Sequence, residues 1–154
     1  MTAPEFATLI TGTWQLIDYR RTQGESVVLP FGADPVGFLQ YGADGRMSAT
    51  LARRSRAPLS TPPGADWRGD PAEWAEAAMS YVAYTGRYRI EGDRVSHFVD
   101  ASLYPNWTGT TLVRWASLVE REGETLLLLV TAPPDAPDRD SLVSHLLWRR
   151  WTPA

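Results

Sequence analysis

The 154-residue chain contains no cysteine and no lysine. Without cysteine there are no disulfides, thiolate metal sites or cysteine nucleophiles, and the core must hold by packing alone. Without lysine there is no Schiff-base chemistry, and all 15 basic side chains are arginine. Histidine is scarce: only His97 and His145 occur. A three-histidine zinc site is therefore impossible, and a two-histidine, one-carboxylate site would need both. No G-x-S-x-G elbow, G-x-G-x-x-G fingerprint or P-loop is present, so a serine-hydrolase mechanism and nucleotide cofactors are not expected. No cofactor and no metal are expected. Net charge is −3 with no basic run, which argues against a nucleic-acid partner. The longest purely apolar run, Leu126–Val130, falls far short of the roughly 20 residues needed to cross a bilayer. The opening MTAPEFATLITGTW lacks a positive n-region and carries Glu5, so it does not read as a signal peptide. A cytoplasmic protein without a membrane partner is the expectation.

What is present is a series of short strands. TWQLIDYRRT follows Gly12 and stops at the turn Gln23-Gly24-Glu25; SVVLP is a second, short strand. Three hairpins follow, turning at Ala43-Asp44-Gly45, Glu91-Gly92-Asp93 and Glu122-Gly123-Glu124, and SLVSHLLWRRW comes last. Strands about ten residues apart, joined by tight turns, predict an antiparallel meander that closes into a barrel of about eight strands. The length suits one domain over residues 1–154. One helix interrupts the meander, over about residues 70–83. Asp70 is placed as N-cap, Pro71 at the first helical position, and Trp74, Ala77, Ala78 and Tyr81 form one stripe. The run LLLLV is apolar on both faces, whereas a barrel strand with a wet exterior should alternate. Either the helix or a second subunit covers its outer face, so a homodimer is one expectation.

Tyr104-Pro105-Asn106-Trp107 must be a turn, because Pro105 cannot donate to a sheet ladder. Asn106 is expected to bond local backbone and Trp107 to fold over one barrel end. In order, GTWQLIDY, PVGFLQYGADGRMSATL, HFVDASLYPNWTGTTLVR and LLWRRW resemble the small bacterial and fungal lipocalin-like domain family over nearly the whole chain. That resemblance implies a mainly β fold, a closed antiparallel barrel with one inserted helix. It also implies that Trp14 of the G-x-W motif crosses the barrel bottom, with an arginine from the pair Arg149-Arg150 against it. It implies no single activity. Barrels of similar size include polyketide-pathway cyclases and pericyclases as well as simple carriers, an analogy of fold only.

Alternation from Trp14 sends Leu16 and Asp18 inward, and an inward carboxylate needs a partner. Gly37, Leu39 and Tyr41 share a face, the glycine leaving room for a ligand and the tyrosine adding a hydroxyl. His97 is the candidate general base, or else a buried histidine bonded to backbone or to Asn106. Arg114, if inward, needs an anionic group against it. Candidate catalytic residues are thus His97, Arg114 and Tyr41. Candidate ligand contacts are Trp107, Asp18, Leu39, Gly37, Tyr81, Tyr84 and Asn106. Two functions fit this inventory. One is a cofactor-independent cyclase or isomerase acting on a polyketide- or terpenoid-like secondary metabolite. The other is a carrier that sequesters a small apolar ligand unchanged. A third reading is a barrel too well filled to bind anything.

Overall fold

The three hairpin turns place residues with positive φ where the chain reverses: Gly45 at +82°, Gly92 at +64°, and Glu122 with Gly123 at +52° and +79°. These close antiparallel pairs in a computed structural model that describes residues 3–65, 68–132 and 141–153. The strands are β1 (Gly12–Gln23), β2 (Ser26–Val28), β3 (Pro35–Tyr41), β4 (Arg46–Arg53), β5 (Tyr81–Glu91), β6 (Arg94–Ser102), β7 (Thr111–Arg121), β8 (Glu124–Val130) and β9 (Val143–Arg150). All pair antiparallel, and β9 returns to β1, so eight strands form a closed barrel with β2 appended beside the end of β1. The fold is mainly β, as expected. No described helix is long and apolar enough to cross a membrane.

Helix α2 (Pro71–Met79) is inserted between β4 and β5. Asp70 caps it, accepting from the Ala72 amide at 2.7 Å, with Pro71 at the first position. It is shorter than the expected 70–83, because Tyr81 already begins β5 and so breaks the anticipated stripe. No α2 side chain is buried. The helix is tied to the preceding loop instead, through Ser60 Oγ to Glu73 at 2.9 Å and Arg56 to the Ala77 carbonyl at 3.0 Å. It packs beside β5 and leaves β8 to other cover. Leu127 and Leu129 of β8 face the core. Leu126 on the opposite face is also buried, flanked by Val119 and Arg149. The 2.8 Å Arg149–Glu124 ion pair lies on that face, and arginine stems shield apolar surface well.

A second helix, α1 (Ala3–Ile10), was not anticipated. Phe6 and Ile10 bury into the bottom of the barrel, and the end of α1 is stapled there. Trp14 Nε1 donates to the Ile10 carbonyl at 2.8 Å. Arg150 donates to the carbonyls of Thr11, at 2.9 Å, and Leu9. These carbonyls have no partner within the helix itself, and a cation at a helix C-terminus is favourable. The Arg150 guanidinium lies 4.2 Å from the centroid of the Trp14 ring, the pairing that the G-x-W resemblance implied. Gly12 explains the motif's first letter: its φ is +127°, and a Cβ there would lie 2.7 Å from Arg150 Nη1. Arg150→Ala removes a cation–π contact and two carbonyl bonds. It is expected to lower unfolding free energy by about 1–3 kcal/mol in urea denaturation followed by tryptophan fluorescence. A loss below about 0.5 kcal/mol, the size of an ordinary surface change, would show that the seam holds without it.

Candidate functional site

The barrel interior is set by strand parity. Leu39 and Tyr41 of β3, Met47, Ala49 and Leu51 of β4, Val82 and Tyr84 of β5, and Val95, His97 and Val99 of β6 are all buried on the inner face. Strand β1 breaks the rule. Its register against β9 shifts between Leu16 and Asp18, with Leu16 opposite Trp148 and Asp18 opposite Leu147. Ile17 is thus the extra residue of a β-bulge. Asp18 turns outward and pairs with Arg20 at 2.7 Å, while Tyr19 and Arg21 turn inward. The expectation of an inward Asp18 is therefore corrected.

A cavity of about 120 Å³ occupies the end of the barrel away from α1. Its walls are mostly apolar, with Leu39, Ala49, Leu51, Val82, Leu129 and Leu146 among them. Tyr84, Trp107 and Arg114 border it; Tyr19, Arg21, Tyr104 and Trp148 also border it and were not singled out from sequence. Trp107 stands edge-on to Tyr84 and Tyr104, with centroids 5.6 and 4.9 Å away. It reaches this position from the short 3-10 turn Pro105–Trp107, the turn that Pro105 required.

His97 lies beneath the cavity without bordering it. Its Nε2 is 2.7 Å from the Tyr41 hydroxyl and its Nδ1 is 3.0 Å from the Tyr84 hydroxyl. A neutral imidazole has one N–H donor and one acceptor nitrogen, so both are committed to this bridge. His97 has no exposed surface. Burial first, then the Arg114 charge, pushes its pKa from 6.5 down to about 3. The Tyr41 and Tyr84 phenols are pushed up, chiefly by burial, and the Arg114 charge opposes this. The result is a neutral, fully engaged polar floor. His97 does not border the cavity and both its nitrogens are bonded to tyrosine hydroxyls, so it does not take a proton from a ligand directly, as the reading of it as a general base required. The buried-histidine alternative is the one realised, with tyrosines in place of backbone or Asn106.

Three other expected contacts fall elsewhere. Tyr81 lies out of phase with inward Val82 and Tyr84, under the Arg56 guanidinium 4.9 Å away. Asn106 is exposed in its turn. Gly37 does face inward, but a Cβ there would lie 2.5 Å from the Thr50 carbonyl, so the glycine permits β3 and β4 to approach rather than making room for a ligand. His145 sits on the outer face, 3.2 Å from Thr22 Oγ1, apart from His97.

Residues 11–151 match the sequence model of the lipocalin-like domain, in agreement with this geometry. The chain belongs to the lipocalin-like domain family. This lipocalin-like chain is also 36% identical, over 90 residues, to a protein of Aspergillus oryzae named 4'-hydroxy-3'-methoxypropiophenone carrier protein. The match covers 53% of this chain and 78% of that relative. The relative is named for carrying a molecule and not for converting one. Together with the committed state of His97 and Tyr41, this overturns the expectation of a cyclase or isomerase of secondary metabolism.

The buried imidazole gives the lipocalin-like barrel a pH signature. Because the pKa of His97 is 6.5 ordinarily and about 3 in the fold, protonation favours the unfolded chain. Its contribution is complete above pH 6.5 and is lost as pH falls towards 3, by up to about 1.4 kcal/mol per pH unit. His97→Gln keeps a donor and an acceptor between the tyrosines but cannot be protonated. Its stability is expected to fall less steeply than wild type between pH 6.5 and about 4.5. Parallel declines in urea midpoint would assign the acid sensitivity to other groups.

Proposed function

We propose that this protein is a non-catalytic carrier that holds a small, mainly apolar aromatic molecule inside the barrel. The observation that supports this reading is the cavity of about 120 Å³ walled by leucines, Val82, Tyr84 and Trp107. A cavity of about 150 Å³ in an apolar core takes up benzene, whereas sites for larger organic ligands run to about 300–1,000 Å³. At about 120 Å³ the cavity is nearer the size of a single ring than of the folded polyketide or terpenoid chain considered from sequence. The name of the Aspergillus oryzae relative, a carrier of a one-ring aryl ketone, supports the same class. Apolar burial supplies most of the affinity, and the tyrosine hydroxyls and arginines orient the polar substituents.

Trp107 and Trp148 border the cavity, so binding should alter tryptophan emission. Titration with 4'-hydroxy-3'-methoxypropiophenone is expected to give saturable one-site quenching, with the ketone recovered unchanged by chromatography. Ala49→Leu, which pushes a larger side chain into the cavity, should weaken binding at least tenfold while circular dichroism stays that of a barrel. Chemical conversion of the ketone, or absence of saturable quenching by any one-ring aromatic of this size, would overturn the carrier reading.

A cytoplasmic setting and a homodimer belong to the same proposal. For the dimer the support is the outer face of β8, where Leu128 and Val130 line an apolar concavity with Trp115 and Val143. Light scattering should return the mass of two chains; a monomeric mass would remove the dimer and leave the carrier reading in place.

A further inference from the structure

Two guanidinium groups, Arg21 from β1 and Arg114 from β7, border the interior cavity, and no carboxylate does so among the described residues. Six other arginines are offset by a carboxylate. Arg20, Arg46, Arg53, Arg54, Arg89 and Arg149 each sit within ion-pair distance of an aspartate or glutamate on the outer surface. Neither Arg21 nor Arg114 forms such a pair among the described residues. Arg114 donates to the Val113 carbonyl at 2.9 Å, and Arg21 rests 5.5 Å from the centroid of the Tyr19 ring.

Two buried donors at this cavity have no hydrogen-bond partner, Arg21 Nε and Trp148 Nε1. Trp148 is 1% exposed and borders the cavity. Buried donors are nearly always paired in folded proteins, and an unpaired one calls for a missing acceptor. The charged and the unpartnered groups of the lining are all N–H donors, set among apolar walls and the hydroxyls of Tyr19, Tyr84, Tyr104, Thr131 and Ser144. The complement is an oxygen-rich, negatively charged group on an apolar ring.

We propose that the ligand of this cavity is a single-ring aromatic carboxylate, its anionic oxygens held by Arg21 and Arg114 and its ring set among the leucines. A carboxylate offers two oxygens to the planar fork of a guanidinium, and charge-assisted bonds of this kind are about twice as strong as neutral ones. An oxygen of the ligand also supplies an acceptor for Trp148 Nε1. The inference rests on the carrier reading but is narrower, because a neutral ketone satisfies that reading without satisfying this one.

The test compares three probes built on one ring: 4-hydroxy-3-methoxybenzoate, its carboxamide, and 4'-hydroxy-3'-methoxypropiophenone, each titrated into the full chain at neutral pH by tryptophan quenching. The carboxylate is expected to bind at least tenfold more tightly than the amide, which has nearly the same shape and no charge. Arg21→Gln and Arg114→Gln should each reduce that acid-over-amide preference at least threefold. The comparison on the unaltered protein decides the matter even if one variant fails to fold. Amide or ketone binding as tight as the carboxylate would overturn the charge selection and leave the carrier standing. Failure of all three probes to bind would remove both.

Discussion

The barrel closes where the first strand meets the last, and at that seam one cation rests on one ring. Arg150, on the last strand, lies over Trp14, near the start of the first strand, and the two residues are also paired across the β1–β9 seam. The same guanidinium reaches the carbonyls at the end of α1, and Trp14 takes the next one through its indole N–H. Strand pairing, helix capping and the plug of the barrel bottom therefore share a single cluster of atoms. Gly12 is part of it because any larger side chain would occupy the space of the arginine. With that end sealed by Phe6, Ile10 and Trp14, the interior space lies towards the other end, under Trp107 and Tyr104.

Between plug and cavity lies the Tyr41–His97–Tyr84 bridge. An imidazole buried without partners would destabilise the core by the desolvation of two polar nitrogens. Held between two hydroxyls, it becomes a satisfied spacer that is neutral at ordinary pH. The arginine next to it reinforces that neutrality, because a second positive charge would be repelled. Polar groups in this barrel thus divide by depth. Those at the floor satisfy one another, and those along the cavity wall, Arg21 and Trp148, keep unpaired donors.

Much of this was legible in the residues. Asp-Gly and Glu-Gly turns and the Asp70-Pro71 helix start carry short-range signals with direct steric or electrostatic causes, whereas the Trp14–arginine pair came from the family resemblance. Other features were hidden for identifiable reasons. Alternation was counted from Trp14 without a bulge, which exchanged Asp18 for Tyr19 and Arg21 on the inner face; no local residue type announces the extra residue at Ile17. Tyr81 matched a helical stripe only because the helix was drawn too long. Gly37 was read as space for a ligand, whereas the approach of the Thr50 carbonyl belongs to a strand pairing that sequence does not show. The missed α1 did leave a trace, since Phe6, Leu9 and Ile10 fall at helical spacing. His97 is buried, but its role follows from partners lying 56 and 13 residues away in sequence.

The bulge at Ile17 also bears on how chains of this kind should be compared. Leu16 and Tyr19 face the same interior although they stand three positions apart, where unbroken alternation would separate inward residues by two. A first strand lacking Ile17 would present Trp14, Leu16, Tyr19 and Arg21 to the same side in regular alternation. The number of residues between the ring at the bottom of the barrel and the arginine at its cavity is therefore free to differ by one while the lining stays unchanged. Homologous first strands are properly aligned by the direction each side chain faces, with the gap placed at the bulge, and not by counting forward from the tryptophan.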